Sequence, residues 1–267
     1  HREGDIGEFT RSGAPVRFGA LAWCVDTRRD VGLRRSDILL VPEGEFTIAS
    51  LKLTRETILD GSVHATIRAM QGPGVRYMTD AERAQSIETM LANAPRPDRV
   101  WVFGYGSLIW NPAFHFAERR IARLYGYHRQ FCLRLQAGRG SPESPGLMLA
   151  LERGGSCHGV AYRIAPHHLE SELDVLWRRE MGSMSYQPVW AAVRTPKGIE
   201  HAIALTVNRH HERYVRGLAE EETVRLLMHG VGPLGSCCEY LFDTVAHMRE
   251  LGIRDRRLER LEAAIRQ

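Results

Sequence analysis

The chain has 267 residues, which is enough for one large domain or for one domain with an extension. Its composition, 43% hydrophobic and 25% charged with a net charge of +4, is typical of a globular protein and argues against wholesale disorder. The basic excess is too mild to suggest nucleic-acid binding, and no apolar run approaches the ~20 residues of a membrane span, so neither partner is expected.

The N-terminal part of the chain has weak structural signals. Residues 1–50 show no sustained hydrophobic period and predict an extension that is poorly ordered or not native. Residues 51–98 predict a helical segment. Its first helix is weakened by Gly61, and a capping box from Thr79 to Glu82 starts the next one.

The most informative motif follows a short apolar run over residues 100–103, which predicts a buried strand. The run ends in a loop, residues 104–107, where two glycines around Tyr105 let the backbone turn sharply and approach a ligand. A dinucleotide-binding loop would continue into a helix, but Pro112 blocks one here. The motif therefore predicts a strand, a loop and an extended segment, and the alternative is a simple tight turn.

From residue 100 onwards the chain alternates strands with few helices. Short strands are expected over residues 121–124, 130–135, 147–151, 159–164, 187–194 and 201–207. The sequence Gly154-Gly155-Ser156 predicts a hairpin turn between the third and fourth of these strands. Helices are expected over residues 167–179, 219–229, 239–251 and 256–266. This order predicts an α+β fold for residues 99–267, with a small mixed β-barrel or strongly curled sheet and C-terminal helices.

The cysteines and histidines do not suggest a metal site. The five cysteines include no C-x-x-C pair, which fits a reducing cytosol and a cytoplasmic protein. The adjacent Cys237 and Cys238 have no second pair at ligand spacing, so we expect them to be buried as small hydrophobic residues. The His-His pairs at 167–168 and 210–211 are expected to have surface or capping roles.

A carboxylate lies on the apolar face of the helix predicted over residues 167–179. Four apolar residues have the spacing of one helix face: Leu169, Leu173, Leu176 and Trp177. Glu180 continues this stripe at the C-terminal end, where a carboxyl group can serve as a general acid and base. Its neighbours Arg178 and Arg179 are expected to point elsewhere around the helix. The alternatives are a frayed turn with Glu180 in solvent, or a buried Glu paired with an Arg.

Other candidate residues carry weaker signals. Ser107 has no obvious His/Asp pair and reads as a turn residue. Arg134 interrupts an apolar run, either as a residue on the solvent face or as a cation for a substrate carboxylate. Tyr186 follows Glu180 by six residues, and Tyr240 lies among apolar neighbours, so each can also be a core residue with a satisfied hydroxyl.

Several ordered segments carry a family resemblance. They cover residues 103–112, 126–135, 138–140, 145–151, 176–181, 233–235 and 240–242. Together they resemble the ChaC family of γ-glutamylcyclotransferases, which act on glutathione. The resemblance extends from about residue 51 to the C-terminus and excludes residues 1–50.

The resemblance implies a mixed, curled β-barrel with flanking helices and no metal or organic cofactor. It also implies a reaction in which the α-amine of a γ-glutamyl group attacks its own side-chain carbonyl, giving 5-oxoproline and, from glutathione, Cys-Gly. Glu180 matches the catalytic Glu of the family. The other matched positions form the substrate loop, Tyr105, Gly106, Ser107 and Leu108, or are expected around the substrate, Arg134, Tyr186 and Tyr240.

Three alternatives to a glutathione-cleaving enzyme stay open. The same site would serve other γ-glutamyl amines or dipeptides, because the loop and Glu180 handle only the γ-glutamyl half. A non-catalytic regulator of a cation transporter would need a partner surface rather than a poised Glu, and a binding module without chemistry is disfavoured by the presence of Glu180. The expected partner is the small molecule glutathione, and no oligomeric state is predicted.

Overall fold

The computed structural model describes residues 51–71 and 75–267, so the extension predicted over residues 1–50 lies outside the described residues. The helices are α1 (Arg55–Leu59), α2 (Ser62–Met70), α3 (Asp80–Ala92), α4 (Leu169–Glu180), α5 (Glu220–His229), α6 (Cys237–Glu250) and α7 (Arg256–Arg266). The strands are β1 (Trp101–Gly104), β2 (Glu118–Leu135), β3 (Gly146–Arg163), β4 (Tyr186–Thr195), β5 (Gly198–Val207), β6 (Val231–Gly232) and β7 (Gly235–Ser236).

The first five strands form a closed barrel in the order β1-β3-β2-β4-β5. The sheet is mixed because β1 closes it by pairing in parallel with β5, whereas β2, β3 and β4 pair with their main neighbours antiparallel. The predicted α+β fold with a small mixed barrel is confirmed.

The structure corrects the predicted hairpin around Gly154 and Gly155. The four short strands predicted in this region are two 18-residue strands, β2 and β3, paired along their whole length. Gly126, Gly154 and Gly155 all have positive φ angles, of 83°, 103° and 69°, where the register between the two strands shifts. A Gly-Gly pair allows a bulge as readily as a turn, and here the glycine facing it on β2 makes it a bulge.

The N-terminal helices α1 and α3 begin with local caps and are linked to α4 by two ion pairs, Arg55–Glu172 and Arg83–Asp174. Gly61, with φ of 76°, separates α1 from α2, and the predicted capping box of Thr79 begins α3. Arg55 binds Glu172 of α4 at 2.5 Å, and Glu172 is only 3% exposed. Burial raises the pKa of Glu172, but hydrogen bonds from Arg55 and from a backbone amide outweigh it and hold the pKa below its ordinary value.

The apolar stripe predicted on α4 is confirmed. Leu173, Leu176 and Trp177 are fully buried in the main core, and the indole N–H of Trp177 donates to Ser86 Oγ of α3 at 2.9 Å. This packing fixes the C-terminal end of α4, and with it Glu180, relative to the barrel.

Candidate active site

A cavity of about 300 Å³ lies where the loop after β1, the C-terminal end of α4 and the start of β4 meet. Its lining includes seven of the eight residues singled out from the sequence: Tyr105, Gly106, Ser107, Leu108, Glu180, Tyr186 and Tyr240. These residues come from separate elements, so the barrel and its helices bring together positions that lie up to 135 residues apart, from 105 to 240.

The glycine loop is held in place by two tyrosines. A Cβ at Gly106 would lie 2.5 Å from the hydroxyl of Tyr240, so only glycine fits there without a shift. A single 3-10 turn follows, Ser107–Ile109, and its first N–H groups have no acceptor inside the turn. The hydroxyl of Tyr162 donates to the backbone carbonyl of Leu108 at 2.9 Å and anchors the far side of the turn.

Glu180 is the last residue of α4, and its side chain is 17% exposed at the cavity. The expectation that Arg179 points elsewhere is wrong. Its Nε donates to Glu180 Oε1 at 2.7 Å, its Nη2 donates to Ser107 Oγ at 2.8 Å, and its Nη1 donates to the carbonyl of Asn111. The Cα positions diverge around the helix, but the long Arg side chain folds back along the helix end, with only 1% of it exposed. Arg179 thereby connects Glu180 to the glycine loop.

Three tyrosines around Glu180 are kept neutral. Burial raises the pKa of Tyr105 and of Tyr186 well above the ordinary value, and it raises that of Tyr240 to about 12. The negative charge of Glu180 adds to the shift in all three. The cavity therefore presents phenol hydroxyls, not phenolates, next to one carboxylate. Two of the hydroxyls donate to backbone carbonyls at 2.9 Å, Tyr105 to Leu205 and Tyr186 to Leu149.

The prediction that Arg134 lies around the substrate is corrected, because Arg134 is exposed and does not line the cavity. Because side chains alternate along a strand, its neighbours Leu133 and Leu135 face the cavity while Arg134 faces away. A cation that does line the cavity is Arg139, for which no role was predicted. Arg139 lies 5.4 Å from the centroid of the Tyr240 ring and donates to a backbone carbonyl at 2.9 Å. Its position between two glycines was the available signal.

A second set of lining residues belongs to the N-terminal segment and was not predicted. The set consists of Leu51, Leu53, His64, Ile67, Gln71 and Tyr77. The backbone of this segment is hydrogen-bonded to later parts of the chain, where Met78 N donates to Gly182 O at 2.9 Å and Leu51 N donates to Pro233 O at 2.9 Å. No local sequence pattern in residues 51–98 indicates these long-range contacts.

The cysteine pair has the buried role that was expected of it. Cys237 and Cys238 are 0% and 2% exposed, and the Cys237 thiol donates to the carbonyl of Arg139 at 3.1 Å. Within residues 51–71 and 75–267, no three His, Cys, Asp or Glu side chains are grouped as metal ligands. The helices in those same ranges include none with the length and apolarity needed to cross a membrane.

Comparisons with known proteins agree with this geometry. Residues 100–267 match the sequence model of the family described as ChaC-like protein. The chain is 41% identical over 186 residues to the glutathione-specific γ-glutamylcyclotransferase of Escherichia coli K12, covering 69% of this chain and 80% of that one. It is 28% identical over 161 residues to glutathione-specific γ-glutamylcyclotransferase 1 of human, covering 58% and 72%.

A solved structure shares the fold. The crystal structure of the yeast γ-glutamyl cyclotransferase specific to glutathione superposes with a TM-score of 0.58 at 22% identity, covering 63% of this chain and 96% of that one. The family match extends over more than half of the chain and includes the glycine loop, Glu180 and Tyr240. The chain therefore belongs to the ChaC family.

Proposed function

We propose that the protein is a glutathione-specific γ-glutamylcyclotransferase, which converts glutathione into 5-oxoproline and Cys-Gly. The observation that carries the proposal is the placement of the Glu180 carboxylate in one cavity with the glycine loop and three neutral tyrosines. The names of the Escherichia coli, human and yeast relatives support the choice of glutathione as substrate. A non-catalytic regulator of a cation transporter is not favoured, because these relatives are all named as enzymes.

Proton transfer is the role assigned to Glu180. The attacking nitrogen enters as an ammonium with three protons and ends as a lactam N–H with one. The leaving nitrogen gains the same two protons and departs as the ammonium of Cys-Gly. One carboxylate can carry them in turn, first as a base and then as an acid. Since Arg179 binds Oε1, we assign the transfer to Oε2.

Bond making and breaking are assigned to the loop side of the cavity. The α-nitrogen forms a bond to the side-chain carbonyl carbon, whose oxygen carries the negative charge of the tetrahedral intermediate. When that intermediate collapses, the C=O bond re-forms and the bond from the same carbon to the cysteine nitrogen breaks, which releases Cys-Gly. N–H groups at the start of the 3-10 turn, at Ser107 and Leu108, are our candidates for stabilising that charge. Because a five-membered ring closes within one molecule, the site mainly has to select a folded conformer of the γ-glutamyl group.

The remaining parts of the proposal concern organisation and location. We assign the chemistry to residues 99–267, a wall of the cavity to the helical segment 51–98, and no role in turnover to residues 1–50. A cytoplasmic location is proposed because Cys132, Cys157 and Cys237 are buried reduced thiols, as expected in a reducing compartment.

The test is replacement of Glu180 by Gln, which keeps the shape and removes the proton-carrying carboxylate. Wild-type protein and variant are incubated with glutathione, and 5-oxoproline and Cys-Gly are measured by mass spectrometry. We expect the variant to lose roughly 100- to 10,000-fold in kcat with an unchanged circular-dichroism spectrum. The matched control is Glu170→Gln, on the exposed face of the same helix. Full activity of Glu180→Gln would refute the mechanism, and equal turnover of other γ-glutamyl dipeptides would refute the specificity.

A further inference from the structure

One side of the cavity, the outer wall, is lined by Tyr77, Gln71 and Arg213 and has no role in the proton transfer and ring closure proposed for Glu180 and the glycine loop. Tyr77 and Gln71 of this wall belong to the N-terminal segment, outside the residues matched by the family model. They are hydrogen-bonded to each other, and the guanidinium of Arg68 lies 4.5 Å from the centroid of the Tyr77 ring. This stacking fixes Tyr77 at the cavity, next to the turn that follows Glu180.

Arg213 faces the same part of the cavity from the segment between β5 and α5. It is half-buried and lies near Tyr77, where its positive charge opposes the burial that raises the pKa of the Tyr77 hydroxyl. Its backbone is held from two sides: its carbonyl accepts a hydrogen bond from Arg134 N at 2.8 Å, and its N–H donates to Nδ1 of His211 at 3.2 Å. The other ring nitrogen of His211 bonds to the carbonyl of Ser183 at 2.9 Å. The backbone of Arg213 therefore has a fixed position beside the cavity, and its side chain lines the cavity.

Two positively charged side chains at the cavity are available to bind anionic groups of a substrate. Three arginines line it, Arg139, Arg179 and Arg213, and of these three only Arg179 forms an ion pair with another residue in the described part of the chain. Arg139 lies against Tyr240, on the side of the glycine loop, and Arg213 lies against Tyr77, on the side of the outer wall. Glutathione carries two carboxylates, one on its γ-glutamyl residue and one on its terminal glycine. An arginine without an acidic partner is well suited to bind a carboxylate through two hydrogen bonds.

The available length fits this assignment. The segment that carries Arg213 contacts Ser183, three residues beyond Glu180, and three residues span at most about 11 Å. From the bond that is cleaved, the cysteine and glycine of glutathione extend about 7 Å. A substrate whose reacting carbonyl lies at Glu180 can therefore present its glycine carboxylate to the outer wall.

We propose that Arg213, supported by Tyr77, forms a subsite for the glycine carboxylate of glutathione and makes the enzyme prefer the tripeptide. This inference rests on the proposed function, because it concerns the leaving half of the same substrate. It assigns a specificity role to the outer wall that is separate from the proton transfer at Glu180.

The experiment compares glutathione with glutathione whose glycine carboxylate is capped as an amide. The release of 5-oxoproline is measured for both substrates with the wild type, Arg213→Gln, Arg213→Lys and Arg216→Gln. The last variant is the control, because Arg216 is exposed on the same segment and does not line the cavity. The wild type and the control are expected to favour glutathione by roughly 10- to 100-fold in kcat/KM, mainly through KM. In Arg213→Gln this ratio should fall close to one, and Arg213→Lys should retain part of it.

The outcomes separate the two levels of the proposal. If the wild type turns over both substrates equally well, or if Arg213→Gln lowers both by the same factor, the subsite is overturned while the enzyme activity stands. If the wild type releases 5-oxoproline from neither substrate, the proposed function is overturned and the subsite falls with it.

Discussion

Replacing Arg179 by Met removes the cation that connects Glu180 to the glycine loop. The change deletes an ion pair of 2.7 Å to Glu180 and hydrogen bonds to Ser107 and Asn111, all made by a side chain that is 1% exposed. Removing one partner of a buried pair typically costs 3–5 kcal/mol. Since the Glu180 side chain is 17% exposed and water can partly solvate it, we expect the lower limit, about 3 kcal/mol.

The neighbouring residue provides the control. Arg178 pairs with Asp174 at 2.6 Å on the same helix, with both side chains about a third exposed, and Asp174 keeps a second partner, Arg83 of α3, at 2.7 Å. Such i,i+4 surface pairs contribute about 0.3–0.5 kcal/mol, so Arg178→Met should cost far less than Arg179→Met. Urea unfolding followed by tryptophan fluorescence measures both free energies of unfolding, and 5-oxoproline release measures activity.

Activity should separate the two variants as clearly as stability. Without Arg179 the Glu180 carboxylate is no longer held toward the loop, so kcat should fall more than KM rises. Arg179→Lys should recover little, because an ammonium cannot reproduce the planar set of donors. If the free energy of unfolding of Arg179→Met lies within about 0.5 kcal/mol of that of Arg178→Met, the structural role given to Arg179 is wrong.

Three further predictions follow from the described contacts. Gly106→Ala should cost about 1–3 kcal/mol of stability by overpacking. Adding Tyr240→Phe should restore most of that stability, because the next ring atom of Tyr240 is 3.7 Å from the new Cβ. Thermal unfolding of the single and double variants measures the effect, and a double variant no more stable than Gly106→Ala would contradict the clash. Arg139→Gln should raise the KM for glutathione whereas Arg134→Gln should not, since only Arg139 lines the cavity; the reverse ranking in steady-state kinetics would show that the cavity assignment is wrong. The lowered pKa of Glu172 contributes stability that is fully present above roughly pH 4.3, the ordinary carboxyl value, and is lost as the pH falls through the lowered pKa. Glu172→Gln should therefore reduce the loss of unfolding free energy between neutral and acidic pH, as measured by urea titrations at several pH values. An unchanged loss would contradict this linkage.

Short-range features of this protein were predictable from the sequence. The capping box that starts α3 at Thr79 and the apolar stripe of α4 are local, since neighbouring residues decide hydrogen bonding at a helix start and the face that a helix buries. The loop around Tyr105 and the position of Glu180 follow from the same kind of local pattern. The α+β class and the family also follow, because several ordered motifs lie along the chain.

The pairing of distant strands decided two features that the sequence left open or indicated wrongly, the Gly154-Gly155 bulge and the face on which Arg134 lies. Gly154-Gly155 serves a turn or a bulge equally well, and only the partner strand, with its own glycine, makes it a bulge. The bulges within β2 and β3 likewise leave the face of Arg134 undecided until the strands are paired.

The sequence by itself determined the α+β class, through the order of its strands and helices. It also determined the glycine loop and a carboxylate at the end of an apolar helix face, because each of these depends on residues within a few positions of one another. The tertiary structure decided that Arg179 binds Glu180, that Arg139 and not Arg134 faces the cavity, and that the N-terminal segment supplies its outer wall. Those facts depend on which surfaces meet when distant segments pack, and the free energy of that packing is a property of the whole fold.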